Sequence, residues 1–133
     1  MRFLQPPDWL PPKGYANGVL VDGPVLFVAG QIGWDGQQRL ISDDFAEQTR
    51  QALENIAAVL REGGARPEHV ARMTWYVTDK QAYLAAQRAI GAAYRVVFGD
   101  HYPAMTLVEV ADLLEPGALV EIEATAVLPR VES

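Results

Sequence analysis

The pattern that most restricts this chain lies near its C-terminal end. Two runs there alternate in strand fashion: Pro103-Ala-Met-Thr-Leu-Val-Glu-Val110 and Ala118-Leu-Val-Glu-Ile-Glu-Ala-Thr-Ala-Val127. Both are rich in β-branched residues, and successive side chains of a strand point to opposite faces. In the second run Val120, Ile122, Ala124 and Ala126 share one face, while Glu121, Glu123, Thr125 and Val127 share the other. Between the runs, Asp112-Leu-Leu-Glu-Pro-Gly117 carries the Pro-Gly pair of a tight turn. Two carboxylates in so apolar a strand have two readings: their face meets water, or one of them lines a cleft as a proton acceptor. Alternation alone does not choose between them.

Upstream, the proline density of residues 1–13 predicts an extended arm, with Trp9 packed somewhere along it. Val19–Val21 and Val25–Ala29 flank Asp22-Gly23-Pro24, which predicts a β-hairpin. Gly33-Trp34-Asp35-Gly36 is a loop, and Trp34 is either a lid on the core's edge or a wall of a pocket. Asp44 and Glu47 have capping-box spacing, and Phe45, Thr49, Ala52, Leu53, Ile56 and Leu60 define a buried helical stripe that Gly63-Gly64 ends. Pro67–Val70 is a short helical turn with His69 exposed, entering a strand over 71–78. Asp79 caps a second helix, Gln81 to Phe98, with Tyr83, Gln87, Ile90, Tyr94 and Val97 along one face. Gly91 inside that helix costs about 1 kcal/mol relative to Ala, so close packing or a distorted turn is expected there.

With short, right-handed connections the two helices belong on one face of the sheet. Glu121, Glu123, Met105 and Leu107 are then expected on the other face, too apolar to stay wet, and association through it follows. The 133 residues predict a single domain, 1–133. A net charge of −6 argues against nucleic acid. Cysteine is absent, and His69 and His101 are too few for a histidine-built zinc site. No apolar run approaches the roughly 20 residues of a membrane span, nor does the N-terminus resemble a signal peptide, so a cytoplasmic protein is expected.

Pro103-Ala104, Val108-Glu109-Val110 and Glu121-Ile122-Glu123-Ala124 together resemble the end of RidA (YjgF family) proteins. Further likenesses are Gly14-Tyr15, Ala29-Gly30-Gln31-Ile32, and Gln48-Thr49 with Leu53 and Asn55. The resemblance implies an α+β subunit of the RidA/chorismate-mutase-like type: a single mixed β-sheet with two helices on one face. It also implies a homotrimer with small-molecule clefts between neighbours, needing neither metal nor cofactor. Its best-known members hydrolyse enamines and imines. Carried over, Glu121 is the catalytic carboxylate that helps activate water, and Tyr15, Ala29, Gly30, Gly91, Met105 and Thr106 line the substrate. Four departures stand out: Met105 replaces an Arg that grips a substrate carboxylate, Thr106 and Ala29 replace serines, and Gly91 replaces an Asn. Arg and Met differ by a full charge and a bidentate fork.

Three readings follow. One is a cofactor-free imine or enamine deaminase of altered specificity, whose substrate lacks the carboxylate the Arg would hold, and another is a non-catalytic trimer that binds a metabolite or partner. The third is an ordinary imino-acid deaminase whose cation comes from elsewhere, such as Arg88 or Arg95, which are otherwise solvated helix residues.

Overall fold

The two C-terminal runs are strands, but they are not neighbours. The computed structural model describes residues 1–130. Strands β1 (Arg2–Leu4) and β2 (Gly18–Leu20) form a small antiparallel ribbon. The main sheet contains β3 (Val25–Gln31), β4 (Val70–Val77), β5 (Ala104–Glu109) and β6 (Val120–Val127), in the order β3-β6-β4-β5. Strand β6 is antiparallel to β3 and β4, whereas β4 and β5 are parallel. The sheet is therefore mixed, as expected, with β4 between the two C-terminal runs in place of a hairpin.

Helices α1 (Phe45–Glu62), α2 (Lys80–Ala85) and α3 (Gln87–Phe98) supply the crossovers. Both crossovers, β3 to β4 and β4 to β5, move in one direction across the sheet. Right-handed connections of that kind place their helices on the same face. Asp44 caps α1, its carboxylate accepting from the Glu47 N–H at 3.0 Å, a contact of about 1 kcal/mol. The predicted stripe of α1 is buried throughout, with Leu53, Ile56 and Leu60 fully so. Each such aliphatic contributes about 1.5–3 kcal/mol by leaving water. They meet Met73, Trp75, Val77, Val120, Ile122, Ala124 and Ala126 from the sheet, and Ile90, Tyr94 and Phe98 from α3.

Four expectations are corrected. Residues 19–21 and 25–29 do not form a hairpin, because β2 pairs with β1 and β3 pairs with β6. The link between them is clasped to the chain after β6: Leu128 N–H donates to Pro24 O at 2.9 Å, and Arg130 pairs with Asp22 at 2.7 Å. Residues 80–98 are two helices broken at Ala86 (φ −105°, ψ 10°), with neither Gly nor Pro at the break. His69 is half-buried, its Nδ1 accepting from the Arg66 N–H at 3.1 Å. Finally, Met105 and Leu107 pair with Met73 and Trp75, so they lie on the helix side of the sheet rather than beside Glu121.

Among the described residues, nothing covers the other face. Phe27, Arg72, Thr74, Tyr76, Glu121, Glu123 and Thr125 line it, and Phe27 is 79% exposed.

Candidate functional site

A cleft of about 390 Å³ opens where the edge of β5 meets α3. Ala16 N–H donates to Pro103 O at 2.9 Å, and Ala16 bridges to Ala104 in parallel fashion. That contact sets the arm along β5 and brings Lys13, Gly14 and Tyr15 to one wall of the cleft. Met105, Leu107 and Trp75 come from the sheet, while Ile90, Gly91, Tyr94 and Arg95 come from α3 at spacings that share a helical face. Tyr83, Gln87 and Tyr102 complete the lining.

Tyr94 is the pillar of this wall. Its ring stacks on Tyr102 (5.3 Å between centroids, 12° between planes) and lies 6.3 Å from Trp75. Its hydroxyl donates to His101 O. Burial first, and then the neighbouring Tyr102, push this phenol well above the ordinary tyrosine range. It therefore stays protonated and holds the wall rather than exchanging protons. Trp75 is buried, and its Nε1–H has no hydrogen-bond partner among the described residues. At Gly91 a Cβ would meet nothing within 4 Å except Arg95 Nη1, at 3.3 Å. Neither close backbone packing nor a distorted turn accounts for this glycine.

A second cluster occupies the bare face. Tyr76 donates to Glu123 Oε1 at 2.6 Å, and that bond raises the Tyr76 phenol above its usual range. Glu121 has neither a hydrogen bond nor an ion pair among the described residues. It lies across Gly30, where an added Cβ would sit 2.8 Å from its Cδ. Ala29 and Gly30 fall at the irregularity of the β3–β6 ladder between Val28 and Gln31. Thr106 is level with Thr74, itself level with Glu123, so these three form one row across the same face.

The sequence-derived residues thus divide. Tyr15, Gly91 and Met105 meet in the cleft on the helix side. Glu121, Ala29, Gly30 and Thr106 lie on the opposite face, with the sheet between the groups. Arg95 and Lys13 line the cleft, whereas Arg88 and Trp34 do not, and His101 lines an adjoining recess. Trp34 is half-buried, its carbonyl held by Asn55 Nδ2 at 2.9 Å. Sequence reading did not single out Lys13, Trp75, Tyr83, Gln87 or Tyr102 as cleft residues. Arg95 had a legible signal, standing four residues after Gly91 on the same helical face.

Comparison with known proteins agrees with the fold. The endoribonuclease L-PSP family description matches residues 9–128. A RutC family protein of Pyrococcus horikoshii is 37% identical over 116 residues, covering 86% of this chain and 88% of its own length. The human 2-iminobutanoate/2-iminopropanoate deaminase is 32% identical over 114 residues, covering 85% and 79%. Among solved structures, the conserved Rid family protein YyfB of Yersinia pestis superimposes with a TM-score of 0.83 at 35% identity, over 96% of this chain and 98% of that one. The chain belongs to the endoribonuclease L-PSP family, the group of RutC and Rid proteins whose sequence pattern it carries.

Proposed function

We propose that this protein is a cofactor-free imine or enamine deaminase of altered specificity, working in clefts that two copies of the chain build together within a homotrimer. The observation that carries this reading is the division of the site. Glu121, the free carboxylate of its face, and the cleft around Met105 lie on opposite sides of one sheet, so a single chain cannot join them. A neighbour docking its bare face against the cleft edge would supply the missing half, and a closed ring repeats that contact symmetrically. Relatives named as imino-acid deaminases point to the same chemistry. The acidic balance of the chain, −6, speaks against a nuclease role.

The chemistry asks little of the protein. An imine carbon is already electrophilic. The Glu121 carboxylate takes a proton from water as its oxygen bonds to that carbon. Glu121 returns that proton to nitrogen, giving a carbinolamine; transfer of the carbinolamine's hydroxyl proton to nitrogen then expels ammonia as the C=O bond forms, so one imine and one water give one carbonyl compound and one ammonia. Specificity is altered because Met105 offers no fork to a small carboxylate beside the reacting carbon.

The test follows ammonia release from imino acids generated in situ by an amino-acid oxidase. The wild-type protein should handle 2-iminopropanoate poorly and the imine of phenylalanine better. Glu121→Gln should lower turnover by about 10²-fold or more. Met105→Arg should improve the apparent affinity for 2-iminopropanoate about ten- to hundredfold. A wild-type protein that accelerates hydrolysis of no imine would sink the hydrolase reading and leave the non-catalytic binding trimer.

A further inference from the structure

Among the described residues, every charged side chain that lines the cleft is a cation. They are Lys13 and Arg95, in a chain whose net charge is −6. Neither is paired with a carboxylate among the described residues. Around them stand the rings of Tyr15, Trp75, Tyr83 and Tyr102 and the apolar Met105 and Leu107. An aromatic slot with unpaired positive charge at its mouth suits an anion on a flat apolar body, and about 390 Å³ is the size of a small-molecule site.

A rim arginine is ordinarily just solvated. Gly91 sets this one apart. Glycine is unfavourable inside a helix, and here no packing demands it. The sole atom near its absent Cβ is Nη1 of Arg95, one turn further along α3. The missing side chain leaves both the slot and the folded-back position of the guanidinium open.

We propose that Arg95, assisted by Lys13, is the carboxylate anchor of this cleft, which therefore takes aromatic carboxylates and holds them from the α3 wall rather than from position 105. This rests on the reading above that the cleft is the ligand site, and it names the substrate class.

The test is calorimetric binding of 3-phenylpropanoate beside its uncharged amide, 3-phenylpropanamide. The wild-type protein should bind the acid at least about tenfold more tightly than the amide, as a charge-assisted hydrogen bond implies. Arg95→Gln should remove that margin, weakening acid binding at least about tenfold more than amide binding. Arg95→Lys should retain part of it, and Lys13→Gln should reduce it less than Arg95→Gln does. Gly91→Ala should raise the melting temperature yet weaken acid binding, a combination that a purely structural glycine would not produce. An equal preference for acid in wild type and Arg95→Gln overturns the anchor, as does a wild-type protein indifferent to the charge or binding neither probe. The two readings fail separately. Loss of the acid margin in Arg95→Gln with no imine hydrolysis by wild type leaves the anchor standing and the hydrolase fallen. Imine hydrolysis with an unaltered margin does the reverse.

Discussion

Glu121 and Glu123 stand two residues apart on one face of β6, yet their surroundings assign them different work. Glu123 is occupied by the Tyr76 hydroxyl at 2.6 Å, a bond that fixes its direction. Glu121 rests on Gly30 with no partner among the described residues, which leaves it available for the proton-acceptor role proposed above. Gly30 is therefore part of how Glu121 is placed, although it carries no functional group. A Cβ at position 30 would lie 2.8 Å from Cδ, 2.9 Å from Cγ and 3.0 Å from Oε1 of Glu121, closer than real side chains approach. The clash is with the free end of a flexible side chain, so Gly30→Ala should swing the carboxylate aside at a rotamer cost of only about 0.5–1.5 kcal/mol. Urea unfolding should shift little, while ammonia release from an imine the wild type accepts should fall about as far as in Glu121→Gln. Full activity in Gly30→Ala would mean that the working position of Glu121 is not the one over Gly30.

At the scale of elements, α1 ties the bulge region to the start of β6. Gln48 is fully buried: its Nε2 donates to Ser42 O at 2.9 Å and Gly117 O at 3.0 Å, and its Oε1 accepts from Leu119 N–H at 2.8 Å. Gly33 permits this by lying against the helix, where a Cβ would come within 2.6 Å of Gln48 Cα. That neighbour is backbone and cannot turn away. Gly33→Ala should thus destabilise by about 1–3 kcal/mol, as overpacking does, read as a lower urea midpoint with an unchanged slope. An unshifted midpoint would show that α1 can slide. The helix itself was legible in the sequence because period, cap and terminating glycines are local. Three-dimensional partners were less so. The Asp22-Gly23-Pro24 link looked like a hairpin turn, but its geometry is set by Leu128 and Arg130, over a hundred residues away. Likewise, alternation in β5 sorts its residues into two sets without saying which faces the helices. Only the parallel register to β4 puts Met105 with Met73. Tyr15, Gly91, Met105 and Glu121 were singled out through the family resemblance, but not that the sheet divides them.

At the scale of the whole molecule, a face carrying Phe27 at 79% exposure beside Arg72, Tyr76 and two glutamates is an unusual surface to leave in water. Docked against a neighbour, it would cover Phe27 and bring Glu121 to a cleft edge formed by Tyr15, Gly91 and Met105. A particle of three 14.6 kDa chains is then expected by light scattering. Mass alone does not show that each cleft draws on two chains, but a mixing experiment does. Glu121→Gln removes the proton acceptor of one half-site. Gly91→Leu plugs the other half-site with a good helix former, so the fold should survive. Each variant alone should be inactive in imine hydrolysis. When the two are unfolded together at equal amounts and refolded, chains assort at random around the ring. A cleft is intact when its α3 wall comes from a Glu121→Gln chain and its carboxylate from a Gly91→Leu chain. That combination occurs in about one cleft in four, so roughly a quarter of wild-type turnover should return. If each cleft were built by a single chain, every cleft would carry one lesion or the other, and the mixture would remain as inactive as its parts.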